Sequence, residues 1–132
     1  MTVRSRVVVY VEREDGLLVF NHRDHPEAGT QVPAGGIEAG ETVAAAAIRE
    51  VREETGVQLD ETPVLLGTHE HFDGLGQPAL SHFLRAPAPE GLPQAWSHVV
   101  SGNGEDATLV FECRFDHAPE LWPVQSVFRP VG

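Results

Sequence analysis

The chain has 132 residues, 20 acidic and 9 basic side chains, and a formal net charge of −11 at pH 7. This charge argues against nucleic acid or an anionic membrane surface as a partner, because both would repel the protein at long range. The length predicts a single domain over residues 1–132 with a core that needs no disulfide or structural metal. Since Cys113 is the single cysteine, we expect a reducing, cytoplasmic location.

The amino-terminal part predicts two adjacent strands and then a loop. "RVVVYV" (6–11) is rich in β-branched residues, and "GLLVFN" (16–21) follows it, which predicts a hairpin closed by Asp15 and Gly16. The stretch 22–30 mixes charge, proline and glycine without a period and is predicted to be a surface loop. No membrane span or signal peptide is indicated in this part of the chain.

A helix is predicted from Thr42 to about Thr55. Thr42 suits the N-cap, four consecutive alanines are strong helix formers, and Gly56 suits the end of the helix. An apolar stripe runs along one side of this helix and comprises Val43, Ala44, Ala47, Ile48 and Val51. The helix is therefore expected to pack on that side.

After the helix, four further strands are predicted, which favours a mixed or antiparallel sheet. They cover 63–72, 79–86, 95–101 and 108–115. The last segment, 118–132, contains three prolines and leaves little room for a long helix. Two alternatives stay open for it: a short helix with an extended tail, or packing against a second subunit in a homodimer.

Three glutamates, Glu50, Glu53 and Glu54, crowd one sector of the predicted helix beside its apolar stripe. Like charges on adjacent helical turns repel by roughly a few tenths of a kcal/mol per exposed pair, so this crowding predicts a positive partner. Mg²⁺ prefers carboxylate oxygens together with water and phosphate oxygens. Metal held there would let an acidic protein bind an acidic substrate, because the cation would supply the opposite charge.

These glutamates belong to a longer spaced pattern: Gly35, five residues, Glu41, seven residues, and then "REVREETGV" (49–57). The pattern matches every fixed position of the Nudix box, G-x5-E-x7-R-E-U-x-E-E-x-G-U, where U is a bulky aliphatic residue. The chain therefore resembles a Nudix (MutT-like) hydrolase. The resemblance implies an α/β fold, the Nudix-type α/β/α sandwich with a mixed sheet. It also implies Mg²⁺-dependent cleavage of a diphosphate linkage in a nucleoside diphosphate joined to another moiety, with Mn²⁺ as a substitute metal.

The resemblance implies a role for each matching residue. The implied metal ligands are three carboxylates and one backbone carbonyl, those of Glu50, Glu53, Glu54 and Ala34. Glu50 is also implied to contact the nucleophilic water, and Glu53 is counted with it as catalytic. Arg49 is implied to orient the carboxylates by ion pairing. Glu41 is either a structural partner of an arginine or a distant metal ligand.

Family members commonly add an acidic residue from a later loop, as general base or extra metal ligand. The candidates are Glu70, Glu105, Asp106 and Glu112. Glu105 is preferred as a catalytic residue because it lies in the turn-rich stretch "SGNGED" (101–106), although an ordinary polar turn residue is an equal alternative. Arg23 and Arg85 are candidate substrate-binding residues for phosphate, with an ordinary surface role as the alternative for each.

Other signals in the sequence leave alternatives open. A Nudix-fold nucleotide sensor without turnover is the second functional hypothesis, although such proteins usually have an eroded box. His69 and His71 have zinc-ligand spacing, but no third and fourth ligands follow, so a polar strand face is favoured. Cys113 alternates with apolar residues and is predicted to be buried rather than nucleophilic. The sequence does not name the substrate.

Overall fold

A computed structural model describes residues 3–101 and 108–129. The elements follow the chain in this order: β1 (Arg4–Arg13), β2 (Gly16–His22), a short 3₁₀ turn (Pro26–Ala28), β3 (Ala34–Gly36), α1 (Val43–Thr55), β4 (Val64–Phe72), β5 (Pro78–Pro87), β6 (Ala95–Val99), β7 (Val110–Asp116) and α2 (Pro123–Ser126). Each strand predicted from the sequence is present. β3 is an addition to the strands predicted from the sequence.

Within the described residues, seven strands form one mixed sheet in the order β4-β5-β1-β2-β7-β6, with β3 paired to β1. β1 and β5 are parallel, and the other pairs are antiparallel. The predicted adjacency of β1 and β2 is confirmed, but their paired residues are confined to the end of β1. The beginning of β1 pairs with β3 instead, and this places the Gly35 segment inside the sheet.

The helix α1 begins and ends where the sequence predicts. The hydroxyl of Thr42 accepts a hydrogen bond from the Ala45 N–H at 3.0 Å, which caps the first turn. Gly56 has φ of +79° and its N–H donates to the Arg52 carbonyl at 2.9 Å, which ends the helix in the left-handed region that favours glycine. The buried side of the helix is centred on Ala46, Ala47 and Val51, slightly rotated from the predicted stripe.

The two faces of the sheet carry separate apolar cores. On the face that α1 covers, the buried side chains of the strands include Val7, Val9, Leu18 and Phe20, which pack with the helix. The opposite face, which we call the second face, has a smaller core centred on Val8, Tyr10, Val19 and Phe83. Successive residues of β1 thus point alternately into the two cores, as the period of a strand requires.

The carboxyl-terminal segment covers the second face. The Tyr10 hydroxyl donates to the Gln125 carbonyl at 2.5 Å, and the Gln125 side-chain oxygen accepts from the Val32 N–H at 2.9 Å. The ring of Phe128 lies over Gly67, where an added Cβ would overlap it, and contacts Phe83. Of the two alternatives for this segment, the short helix is present as α2, and it packs on its own sheet.

Helical segments on both faces of a mixed sheet confirm the predicted α/β/α sandwich, although the second layer contains only the four residues of α2. That layer is short because prolines interrupt the sequence around it. In the part of the chain that the structure describes, no helix has the length and apolar character needed to cross a membrane.

Candidate active site

The loop before α1 approaches the helix so closely that it needs a glycine. Gly35 lies in β3 opposite Val7, and its α-carbon faces the side chain of Glu50. A Cβ at this position would overlap the Glu50 carboxylate. The first glycine of the box therefore gives the Glu50 side chain room between the helix and the sheet.

Arg49 joins the carboxylates of the box. Its Nε and Nη2 donate to the two oxygens of Glu41 at 2.7 and 2.9 Å. Its Nη1 donates to Glu50 at 2.8 Å and to Glu53 at 3.3 Å, and Nη2 also donates to the Gly36 carbonyl at 2.8 Å. One guanidinium thus ties the loop to the helix and holds three carboxylates. Such contacts are compatible with the orienting role that the resemblance implies for Arg49, and that role stays a prediction.

These contacts shift the proton affinities of the groups. Hydrogen bonding to Glu41 raises the pKa of Arg49, and the Arg49 guanidinium lowers the pKa of Glu41. Burial raises the pKa of Glu50, against the opposing effect of Arg49. A carboxylate with a raised pKa is a better proton acceptor than one free in water, so Glu50 is suited to contact an attacking water.

Glu54 places a further carboxylate at the edge of β3. Its Oε1 accepts a hydrogen bond from the Ala34 N–H at 2.9 Å. In a strand, the N–H and C=O of one residue point to the same side, so the Ala34 carbonyl faces Glu54 as well. The backbone oxygen and the carboxylate that the sequence named as metal ligands are therefore neighbours.

The donors gathered here are hard oxygens, from three glutamates and one backbone carbonyl, and this donor set fits Mg²⁺ or Mn²⁺ better than zinc. Among residues 3–101 and 108–129, no three acidic, histidine or cysteine side chains already converge on one point. Glu50 and Glu53 hydrogen-bond to Arg49, and Glu54 hydrogen-bonds to Ala34. Coordination by all three would require side-chain rotations, with the backbone already in place.

A cleft of about 610 Å³ opens beside this group. It is lined by Glu50, Glu53 and Arg49 from α1, by Gly36 from β3 and by Arg4 from β1. Sequence reasoning missed Arg4, because nothing in the order of residues shows which strand will pair with the box loop. The only available signal was the alternation of Arg4 and Arg6 just before the first buried valines.

The structure does not bring the two predicted phosphate-binding arginines to the carboxylates. Arg85 pairs with Glu12 at 2.6 Å, in the half of β1 that lies away from β3. Arg23 is exposed after β2, with Asp24 at 3.6 Å. Both contacts are those of ordinary surface ion pairs.

The late acidic candidates are scattered. Glu70 is exposed on the edge strand β4, and Glu112 accepts a hydrogen bond from the Ser97 hydroxyl at 2.7 Å. Glu105 and Asp106 lie outside the described residues. Just before them in the chain, the Ser101 N–H donates to the Glu53 carbonyl at 3.1 Å, so residue 101 lies next to the helix that carries the carboxylates.

Cys113 is buried on the helix-covered face, as predicted. Burial raises the pKa of its thiol to about 12, which keeps it protonated at neutral pH. Since the thiolate is the reactive form, a nucleophilic role does not fit this residue.

Comparisons with known proteins agree with this geometry. The NAD-capped RNA hydrolase NudC of Photobacterium profundum is 43% identical over 53 residues, which cover 40% of this chain and 20% of that protein. The chain thus spans about a fifth of the length of this curated relative.

Two solved structures show the same fold. A MutT NUDIX hydrolase from Burkholderia pseudomallei is 23% identical with a TM-score of 0.69, and the match covers 96% of this chain and 95% of that one. A bifunctional NMN adenylyltransferase/ADP ribose pyrophosphatase from Francisella tularensis, complexed with AMP and a Mn ion, is 24% identical with a TM-score of 0.55. That match covers 70% of this chain and 30% of the other.

The family model for the NUDIX domain matches residues 1–120, which include every strand of the sheet and the whole of α1. With the complete box and the same fold, this match shows that the chain belongs to the NUDIX domain family.

Proposed function

We propose that the chain, acting as one Nudix domain over residues 1–132, is a pyrophosphohydrolase. It cleaves a diphosphate linkage in a nucleoside diphosphate joined to another moiety, by attack of water at phosphorus. The observation that carries this proposal is the group formed by Glu50 and Glu53 on Arg49 and by Glu54 on the Ala34 N–H, beside a cleft large enough for a diphosphate. The single buried cysteine is in keeping with activity in the reducing cytoplasm.

Each side chain has a distinct task in this reaction. Glu50, Glu53, Glu54 and the Ala34 carbonyl would hold Mg²⁺, or Mn²⁺ as a substitute. The bound cation supplies charge neutralisation for the diphosphate and lowers the pKa of a bound water. Burial raises the pKa of Glu50, which suits this carboxylate for accepting a proton from the water. Arg49 keeps the carboxylates in position when the substrate is absent.

Substitution of both outer carboxylates tests the proposal. Glu53→Gln combined with Glu54→Gln should abolish Mg²⁺ binding and most turnover, with the fold kept intact. Release of nucleoside monophosphate and circular dichroism are the measurements. Glu90→Gln, at an exposed loop position, is the matched control for loss of charge. Near-normal turnover in the double variant would overturn the assignment.

A substrate panel separates hydrolysis from ligand sensing. It contains ADP-ribose, nucleotide sugars, diadenosine polyphosphates, nucleoside triphosphates including oxidised ones, coenzyme A, and NAD-capped RNA, after which the matched Photobacterium protein is named. A hydrolase releases products only with Mg²⁺ present. A sensor would bind one of these compounds tightly and release nothing, and that result would contradict the proposal.

A further inference from the structure

The last turn of α1 ends against β6, the strand at one edge of the sheet. An α-helix leaves the carbonyl oxygens of its last four residues without partners inside the helix. In α1, the Arg52 carbonyl accepts from the Gly56 N–H that follows the helix. The Thr55 carbonyl accepts instead from the Trp96 Nε1–H of β6, at 2.8 Å. β6 therefore supplies a donor to the end of the helix.

The Glu53 carbonyl accepts two hydrogen bonds from the same part of the chain. One comes from the Ser101 N–H at 3.1 Å, and the other joins it to His98 Nε2, also at 3.1 Å. Because a carbonyl oxygen can only accept, Nε2 carries the imidazole proton in this contact. The carboxylate of Glu53 faces Arg49 at 3.3 Å. Glu53 is thus held at its backbone from β6 and at its side chain from α1.

The final glycine of the box leaves room for the His98 ring. An added Cβ at Gly56 would stand 2.9 Å from His98 Nδ1 and 3.1 Å from its Cε1. The ring therefore lies directly against the backbone where the helix ends. Trp96 and His98 are two residues apart on a strand, so they point to the same face of the sheet, and both reach the helix.

Two of the three proposed metal ligands lie in this last turn. α1 ends at Thr55, and Glu53 and Glu54 are the two residues before it. Helix ends fray readily, so carboxylates in a final turn move unless other groups hold the backbone. Glu50 lies one turn earlier, and its side chain is already confined by the close approach of Gly35. The donors from β6 therefore act where the proposed metal ligands depend on them most.

We propose that β6 positions the metal ligands: His98, supported by Trp96, holds the last turn of α1 so that Glu53 and Glu54 meet the cation in a fixed arrangement. Removal of a group that orients metal ligands lowers metal affinity by about 10–100-fold. His98 acts through the Glu53 backbone and supplies no ligand atom, since its Nε2 faces that carbonyl. This inference rests on the proposed function, because it concerns the metal ligands of the same site.

Metal binding without substrate tests His98 apart from turnover. The probe is Mn²⁺, added to the full chain while the electron paramagnetic resonance signal of the free ion is followed. His98→Leu removes the donor and should lower the affinity for Mn²⁺ about tenfold. His98→Gln keeps an N–H donor near the position of Nε2 and should stay within about threefold of the unsubstituted chain. Unchanged affinity in His98→Leu, or equal losses in both variants, would overturn the proposal.

Tyr10→Phe separates positioning from a general loss of stability. This substitution removes a buried hydrogen bond on the second face, away from the cleft. Because the two sites are distant, Mn²⁺ affinity should stay within about twofold. If Tyr10→Phe weakens Mn²⁺ binding as much as His98→Leu does, the loss reflects stability alone and the proposal fails.

Trp96→Phe provides a second variant in case His98→Leu does not fold. It removes the donor to the Thr55 carbonyl and keeps an aromatic ring beside Phe115. Since both hydrogen bonds to the Glu53 carbonyl remain, the expected loss of Mn²⁺ affinity is smaller, about threefold. Unchanged affinity in this variant would contradict a positioning role for β6.

Turnover distinguishes this inference from the proposed function. His98→Leu should raise the Mg²⁺ concentration for half-maximal turnover about tenfold, and leave KM for the substrate at saturating Mg²⁺ within about twofold. Turnover with an unchanged dependence on Mg²⁺ would overturn the inference and keep the hydrolase. Weaker Mn²⁺ binding in His98→Leu, without hydrolysis of any panel compound by the unsubstituted chain, would overturn the hydrolase and keep the positioning role.

Discussion

The two faces of the sheet are covered in opposite ways. On one face, α1 is a 13-residue helix, and the residues that cap it, pack it and carry its chemistry lie between Gly35 and Gly56. On the other face, a four-residue helix is held by Gln125, whose partners Tyr10 and Val32 lie 115 and 93 positions away in the chain.

The two faces therefore differ in role: one carries the proposed chemistry, and the other is covered by the carboxyl-terminal segment. The helix-covered face is organised by charge, since one arginine holds three carboxylates next to the cleft. The carboxyl-terminal cover depends on neutral hydrogen bonds and the packing of Phe128. Disruption of the charged group on the first face should therefore affect turnover and stability together, whereas disruption of the carboxyl-terminal cover should affect stability alone.

The largest effect is expected for Arg49→Met. Glu41, Glu50 and Glu53 would lose their shared counter-ion, and all three are largely shielded from water. We expect the free energy of unfolding to fall by about 3 kcal/mol, measured by denaturant titration without metal. Arg52→Met, at an exposed position of the same helix, should change it by less than about 0.5 kcal/mol. Equal effects would show that Arg49 has no special electrostatic role.

The adjacent glycines of β3 provide the next comparison. Gly35→Ala forces the Glu50 carboxylate to move, which should cost about 2 kcal/mol of stability and lower turnover about 100-fold. At Gly36 the nearest atoms to an added Cβ belong to the flexible Arg4 guanidinium, 3.7 Å away. Gly36→Ala should therefore have a much smaller effect. Denaturant titration and steady-state kinetics of the two variants measure these effects. Equal losses in Gly35→Ala and Gly36→Ala would contradict the prediction.

On the second face, Tyr10→Phe should lower the free energy of unfolding by about 1.5 kcal/mol at neutral pH. The Gln125 carbonyl would lose its phenol donor in a buried place. Turnover should stay within about twofold, because Tyr10 lies in the core away from the cleft. A large loss of kcat with unchanged stability would contradict the separation of the two faces.

The smallest effect concerns alkaline pH. Burial raises the pKa of Cys113 from 9.0 and that of Tyr10 from 10.0, each to about 12. The unfolded chain therefore loses each proton at a lower pH than the folded chain does. The stability that the protonated thiol and the protonated phenol contribute is complete below pH 9 and pH 10, respectively. It is then lost as pH rises toward 12.

At pH 10 the Cys113 thiol alone should lower the free energy of unfolding by about 1 kcal/mol relative to pH 8. Cys113→Ala should remove the part of the decline that begins near pH 9, and Tyr10→Phe only the part that begins near pH 10. Denaturant titrations from pH 8 to pH 11 measure both. A decline of the same size in Cys113→Ala would contradict the assignment to the thiol.

Much of the site could be predicted because its determinants are local. Thr42, Gly56 and the helix between them depend on neighbours within a few residues, and the period of that helix brings Glu50, Glu53 and Glu54 to one sector. The spacing from Gly35 and Glu41 then identified the family, which the match over residues 1–120 confirms. The roles of the individual carboxylates remain proposals.

The same reasoning says less where side chains meet across strands. Arg85 is a predicted phosphate contact, and the structure places it against Glu12, away from the carboxylates, because the register of β5 on β1 decides its neighbours. Arg4 was missed for the same reason, since only the pairing of β1 with β3 places it over the box loop. Strand pairing joins residues far apart in the chain, and no short spacing encodes it.

The sequence by itself determined the family, the position and ends of α1, and which carboxylates crowd one side of it, since caps and helical period act over a few residues. Only the tertiary structure decided that β3 joins the sheet, that Arg4 and Arg6 stand opposite His69 and His71, and that Gln125 closes the second face. Those arrangements depend on strand register and on hydrogen bonds between distant residues, which form only when the whole sheet is assembled.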